Sequence, residues 1–395
     1  MGQRCRRSLY LRRSTDPDTG IGTAISRGWD VSSRLTLGSD NINSSAQAAY
    51  TNPDGRGISL ASGGVALGIM IRALFFFSVS IVSAFALSEQ RAQEEFDVGS
   101  GARLVVEVDF GTIDLTRGTE KKIGVNAYRK IDGPNDAREK EYLAATPLII
   151  RKEANTVTVS ARCEHSKNWS WSGETKMLAR YNIHVPAETN VEVATGGGEI
   201  SAAEISGSCH AETSGGNLKF TRLRGPLTAS SAGGHVALDA CDGAINVSTS
   251  GGKIDTVAGS GSLVATTAGG SIVVRNFSGD TKVETNGGAL NLENIRGRLI
   301  AETAAGSISV LVPTPLPGDV RLETAAGRIE VALPLDAAVD VNAETSEGSV
   351  TSDLPMITKR AGREGLQGTI NGGGKALVLR TGSGNIVIKS TAPGH

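Results

Sequence analysis

Glycine recurs in two interleaved phases through the second half of this chain, and that beat restricts the fold more than any other feature. Gly198, Gly216, Gly234, Gly252, Gly270, Gly288 and Gly306 stand 18 residues apart. Gly207, Gly225, Gly243, Gly261, Gly279 and Gly297 keep the same period nine residues later. Two glycines half a period apart mean two strands and two bends per repeat. The bends want glycine for unusual φ or for close stacking of backbones. The first series continues at Gly327 and Gly348, each 21 residues on, and at Gly384, two periods further.

The residues between the glycines say which way side chains point. Two positions after the first glycine stand Ile200, Leu218, Val236, Ile254, Ile272, Leu290 and Ile308. In the other strand Ala211, Ala229, Val247, Ala265, Val283 and Ala301 precede, by two, the hydroxyl column Thr213, Ser231, Thr249, Thr267, Thr285 and Thr303. Period-two alternation places these sets inside and the intervening Lys219, Glu284, Asn291 and Glu302 outside. The pattern is an all-β, single-stranded β-solenoid (β-helix) of about ten coils, successive coils lying ~4.8 Å apart. The hydroxyl column is placed to bond along the stack or to the bend backbone. A narrow interior accounts for an aromatic content of only 4% beside 50 glycines in 395 residues.

The front of the chain differs. Residues 1–69 hold eight arginines, no lysine and no apolar period, and read as disordered or as an upstream extension. An uncharged run from Ala73 to Ser88 then follows Met70-Ile71-Arg72 and contains Ala84-Phe85-Ala86. It is shorter than the ~20 residues that span a bilayer. It fits a signal peptide over 70–86 with a small-x-small cleavage site, making Met70 the natural start and the working protein extracytoplasmic: periplasmic, secreted or envelope-associated. The alternative is an uncleaved anchor.

Solenoid ends are open edges and need caps. The segment 103–115 matches 298–310 in phase, so coiling starts near residue 98 and the solenoid domain spans 97–390. An insert over 121–189 carries strands at 121–131, 147–151, 155–163 and 176–185. It is expected to cap the amino-terminal end as a small antiparallel sheet. The run from Lys375 to Ile388 is expected to close the other end.

With its in-phase Thr-x-Gly-Gly-x-(Ile/Leu)-x-(Val/Leu) units and the lead-in Ile183-His184-Val185-Pro186 followed by Val191-Glu192-Val193, the chain from about 97 to 390 resembles the bacterial putative-adhesin family of envelope β-solenoids. That family is a domain of unknown function. The resemblance implies an extracytoplasmic envelope role and no catalytic residues.

Chemistry is sparse. Polysaccharide lyases and hydrolases on β-helices gather acids and bases in one groove. Here Asp239, Asp242, Asp255, Asp280, Lys253 and Arg275 read as scattered. No metal is expected. The Gly-Gly pairs lack the aspartate of calcium repeats, and no CxxC or Cys/His cluster suggests zinc. An ice-binding face is disfavoured because the threonines alternate into the interior. No cofactor is implied, and a net charge of −1 gives no reason to expect nucleic acid. Cys209 and Cys241 lie near two coils apart, ~9–10 Å along the axis, beyond the ~7 Å reach of a disulfide. His165, His184, His210, His235 and His395 sit at different coil phases. The carboxylates Glu284, Glu302, Glu323 and Glu344 form a column of like charge. Trp169 and Trp171 are the one aromatic cluster of the mature chain, as sugar-stacking ligand contacts or as a cover for the first coils.

The sequence therefore reads as a non-catalytic envelope binding scaffold. Its partner would be an envelope component, glycan or protein, and it would meet the membrane only through the signal segment. A glycan-active β-helix enzyme and a self-assembling structural solenoid are the alternatives.

Overall fold

The computed structural model describes residues 89–119, 121–132, 136–163 and 176–391. The extension over 1–69, the signal segment over 70–86, and Trp169, Trp171, His165 and His395 lie outside the described residues. The amino-terminal part comprises β1 (Glu89–Asp97), β2 (Arg103–Val108), β3 (Thr112–Arg117), β4 (Lys122–Asp132), helix α1 (Asp136–Ala145), β5 (Ile149–Glu153), β6 (Thr156–Ala161) and β7 (Lys176–Val185). The regular part follows as β8 (Asn190–Thr195), β9 (Ile200–Ala203), β10 (Cys209–Thr213), β11 (Leu218–Thr221), β12 (Leu227–Ser231), β13 (Val236–Thr249) and β14 (Ile254–Thr267). It continues through β15 (Ile272–Thr285), β16 (Leu290–Glu293), β17 (Leu299–Thr303) and β18 (Ile308–Leu311). The last elements are β19 (Val320–Ala326), β20 (Ile329–Pro334), β21 (Val339–Glu347), β22 (Val350–Ser352), β23 (Ile357–Ala361), β24 (Gly365–Ile370), β25 (Lys375–Ser383) and β26 (Ile386–Thr391).

Parallel pairing builds the expected solenoid. One face stacks in the order β6, β2, β8, β10, β12, β13, β14, β15, β17, β19, β25, β21. The other runs β7, β3, β9, β11, β13, β14, β15, β16, β18, β20, β26, β22. Each order has twelve rungs, so the rod is about 50 Å long at ~4.8 Å per rung. Its interior columns are aliphatic: Ile200, Leu218, Val236, Ile254, Ile272, Leu290 and Ile308 are all 0–1% exposed.

The glycines divide by mechanism. In the first series a Cβ would strike the carbonyl of the glycine one rung earlier: Gly216 at 1.7 Å from Gly198 O and Gly252 at 1.8 Å from Gly234 O. Close backbone stacking, rather than φ, excludes side chains there. In the second series Gly225, Gly243, Gly261 and Gly279 also hold φ between +114° and +143°, which L side chains rarely adopt. A third column escapes the glycine beat. Glu204, Arg222, Ala240, Ala258, Asn276 and Asn294 all have φ between +52° and +62°. The asparagines suit that left-handed conformation and form a ladder, Asn294 Nδ2 donating to Asn276 Oδ1 at 2.7 Å.

Both ends depart from simple winding. The insert supplies the antiparallel cap, with β4 between β1 and β7 and β5 on β6. It also supplies a whole parallel rung, because β6 and β7 pair with β2 and β3. That rung helps to raise the count above about ten. Helix α1 has no counterpart in the sequence reading, since its sequence carries no apolar stripe. The buried Arg129 of β4 holds the segment just after it, donating to Thr146 O at 2.8 Å and Thr146 Oγ1 at 2.7 Å. Tyr142 of the helix packs on Phe110 with ring centroids 5.9 Å apart.

At the other end the run from Lys375 to Ile388 does not close the solenoid. β25 and β26 slide between the β19–β20 rung and the β21–β22 rung. The hairpin β23–β24 caps β21 by antiparallel pairing. The glycine stack records the same order, Gly348 lying on Gly384 and Gly384 on Gly327.

Candidate functional site

The hydroxyl column pins each bend to the one before it. Thr249 Oγ1 donates to Gly234 O at 2.9 Å and accepts from Gly252 N at 3.2 Å. The neighbouring rungs repeat this through Ser231 with Gly216 O (2.9 Å) and Gly234 N (2.9 Å), and through Thr267 with Gly252 O (3.0 Å) and Gly270 N (3.1 Å). With these side chains spent on the backbone, the surface just outside them is shallow. There the outward residues of the first strands and the small residues of the following turns enclose a groove of about 1300 Å³.

The groove runs along the stack from Asp109 and Arg162 at one end to Arg380 and Ser346 at the other. Its middle is uncharged, lined by Ser230, Ser248 and Thr266 with Ala232, Ser250 and Ala268 of the turns. Towards the far end Glu284, Glu302 and Glu323 line it. The expected column of like charge is corrected here, because the inserted rung puts Arg380 between Glu323 and Glu344. Its guanidinium lies 3.3 Å from Glu323 and 4.0 Å from Glu344. Lys282 Nζ stands 2.5 Å from Glu284, and that hydrogen bond holds the Glu284 carboxyl below the usual glutamate range.

The charges read as scattered partly converge. Lys253 Nζ lies 2.7 Å from Asp255, and Arg275 reaches both Asp255 at 3.6 Å and Glu293 at 3.5 Å. These four meet on the outer face of the second strands, because Arg275 and Glu293 occupy one register position on successive rungs. Sequence spacing alone missed the contact of Asp255 with Arg275, which is diagonal across β14 and β15. The groups are half-exposed and paired with each other, a surface ion-pair network outside the groove. Asp242 accepts from Ser260 Oγ at 2.7 Å, and Asp280 from the backbone N–H of Arg298 at 3.1 Å. Asp239 stands exposed.

Among the described residues no group of three His, Cys, Asp or Glu side chains could hold a metal ion. His184 Nδ1 bonds Thr116 Oγ1 at 2.8 Å, His210 meets Glu212 at 3.2 Å, and His235 Nδ1 accepts from Lys253 N at 2.9 Å. Cys209 and Cys241 are free, buried thiols. Burial pushes Cys209 up to about 12 and also raises Cys241. No helix among the described residues is long and apolar enough to cross a membrane.

A family model described as Toastrack DUF4097 matches residues 103–389, from the first residue of β2 to within two residues of the end of β26. The chain belongs to this family. Solved structures similar to this Toastrack chain include a putative cell adhesion protein from Clostridium sporogenes, 15% identical over 76% of this chain and 100% of that one, with a TM-score of 0.20. Two others are putative adhesins. That of Bacteroides fragilis is 12% identical over 78% of this chain and 100% of its own, TM-score 0.29. That of Parabacteroides distasonis is 11% identical over 76% and 97%, TM-score 0.28. No curated protein matches this Toastrack chain.

Proposed function

We propose that this protein is a non-catalytic, adhesin-like binding scaffold that works outside the cytoplasm and lays a linear envelope polymer along its groove. The observation that carries the reading is the groove itself. A trough whose uncharged, hydroxyl-lined middle repeats on successive rungs suits a ligand that also repeats. The acids towards the far end of the trough are held by bases, Glu284 by Lys282 and Glu323 by Arg321 and Arg380, and Lys253, Asp255, Arg275 and Glu293 pair with each other outside it. The apolar run over 73–88 with Ala84-Phe85-Ala86 supports the extracytoplasmic location.

The test mixes the purified protein with peptidoglycan and with envelope polysaccharides, and follows co-sedimentation and the release of reducing or unsaturated ends in the same tubes. Binding without release is expected. Replacing Ser248 and Thr266 together by arginine should fill the trough and abolish co-sedimentation with uncharged polysaccharides while the far-ultraviolet circular dichroism stays unchanged. Release of sugar ends would overturn the non-catalytic reading. Binding of an uncharged polysaccharide that survives the double replacement would overturn the groove.

A further inference from the structure

A second concave surface lies on a different face, at the amino-terminal cap. The antiparallel sheet β1–β4–β7 is covered on its inner side by the core, and its outer side forms a hollow of about 650 Å³. Register brings two cross-strand rows into it. One row is Arg91, Tyr128 and Arg180; the next is Gln93, Asn126 and Asn182. Directly opposed residues on neighbouring strands stand ~5 Å apart.

The groups in these rows have little to do for the fold. None of the three amides makes a side-chain hydrogen bond among the described residues, so their donors and acceptors face solvent together. Arg180 is exposed and has no ion-pair partner among the described residues. Arg91 is held by Glu89 at 2.6 Å and lays its guanidinium 5.2 Å from the centre of the Tyr128 ring. Among the described residues no carboxylate lines the hollow. The acids beside it are engaged, Glu89 with Arg91 at 2.6 Å, Glu95 with Lys122 at 3.2 Å and Asp114 with Ser201 Oγ at 2.6 Å. In a chain of net charge −1 this is a locally cationic hollow, with an aromatic ring and a row of amides.

We propose that this face binds an acidic polysaccharide, a chain of uronic-acid type. Arg180 takes the carboxylate through charge-assisted hydrogen bonds. Tyr128 offers its ring to the apolar face of the sugar. Gln93, Asn126 and Asn182 bond its hydroxyls, an amide being both donor and acceptor as a hydroxyl is. An acidic peptide would satisfy the arginine but leave the amide row without hydroxyl partners. The inference goes beyond the groove reading and does not depend on it.

The test is calorimetric titration of the full chain with oligogalacturonate, its methyl ester and poly-glutamate. Oligogalacturonate is expected to bind, while the ester and poly-glutamate bind at least tenfold more weakly. Arg180→Gln should weaken binding about tenfold, the scale of one charge-assisted bond. Asn126→Ala and Tyr128→Leu should each weaken it severalfold. All three positions are on the solvent side of the sheet, and circular dichroism will confirm that the variants fold. Ser248→Arg in the groove should leave this titration unchanged, so failure of one site is distinguishable from failure of the other. Equal binding of the ester, an unaffected Arg180→Gln variant, or no oligogalacturonate binding would each overturn the proposal. Poly-glutamate bound as tightly would replace it with an acidic-peptide site.

Discussion

Replacing a threonine hydroxyl by a methyl group should have opposite effects at two positions seven residues apart, Thr249 and Thr256. At Thr249, 5% exposed, the hydroxyl serves Gly234 O and Gly252 N at once. Valine has the same shape but leaves both backbone groups without that partner. An unmade bond to a buried backbone group costs about 1–3 kcal/mol. This bend borders the groove, where water can reach part of it, so the loss should lie near the low end for each group, about 2–3 kcal/mol in all. At Thr256, 0% exposed, the hydroxyl has no hydrogen-bond partner and stands in an interior column between Leu238 and Val274. Valine there removes a desolvated polar group without opening a cavity, a gain of about 1–2 kcal/mol.

The two variants should therefore differ by about 3–5 kcal/mol. Urea unfolding followed by circular dichroism reads this as a midpoint difference on the order of 1 M, given a slope of about 3 kcal/mol/M for a domain of this size. Rungs in a solenoid unfold as near neighbours, so the midpoint is the safer observable. Thr249→Ser is the control, because Ser231 makes the same pair of bonds at 2.9 and 2.9 Å on the previous rung. It should cost at most about 1 kcal/mol for its lost methyl. If the Thr249→Val midpoint equals that of Thr249→Ser, or if both valine variants shift the same way, the reasoning is refuted.

Gly252→Ala places a Cβ 1.8 Å from Gly234 O, which forces two rungs apart; it should lower the urea midpoint by more than Thr249→Val, and an unchanged midpoint would refute the stacking role of that glycine. Cys209 and Cys241, buried and with raised thiol pKa values, should resist alkylation at pH 8 while the half-buried Cys163 reacts; mass spectrometry that finds the buried pair labelled in native protein would contradict their burial. Lys389 Nζ lies 2.5 Å from Glu330 and holds that carboxyl below its ordinary value, so the pair stabilises the fold above the ordinary glutamate range and ceases to do so as pH falls through the depressed value. The midpoint gap between the parent and Lys389→Met should thus be flat from pH 6 to 8 and shrink below pH 4; a gap that widens in acid would reverse the sign. The outermost strands of one face carry like charge, Arg151 and Lys152 on β5 and Lys359 and Arg360 on β23, which disfavours edge pairing. Reversing Lys359 and Arg360 to glutamate should therefore promote end-to-end association at low salt in analytical ultracentrifugation, and a sedimentation profile equal to the parent's would show that charge is not what guards the edge.

What was legible in the sequence was whatever repeats. A rung that stacks in register must place like residues at like positions, so Gly198 to Gly306 and Thr213 to Thr303 announced both the period and the inward face. The left-handed column from Glu204 to Asn294 has the same period, but its residue types differ from rung to rung, and only Asn276 and Asn294 carry a sequence signal for that conformation. The end rungs were hidden for another reason. Stacking order follows sequence order only while each strand hydrogen-bonds the next one made. Pairing energy is indifferent to chain order wherever a loop such as 371–374 is long enough to bring β25 back between β19 and β21.

That same indifference decides which sites a reading by repeats can find. The groove is built from periodic positions, so its hydroxyl column and its glutamates were visible, while Arg380, delivered by an out-of-order rung, breaks the column of like charge. The hollow on β1, β4 and β7 is built from strands that occur once. Gln93, Asn126 and Asn182 are separated by 33 and 56 residues and share no period, and nothing in the sequence says that antiparallel register will bring them into one row. Their outward, unbonded amides become visible only when the cap is folded. A repeat protein can thus carry its general surface in the repeat and its distinguishing contacts in the cap. The two can be told apart by experiment, since Ser248→Arg should touch one and Arg180→Gln the other.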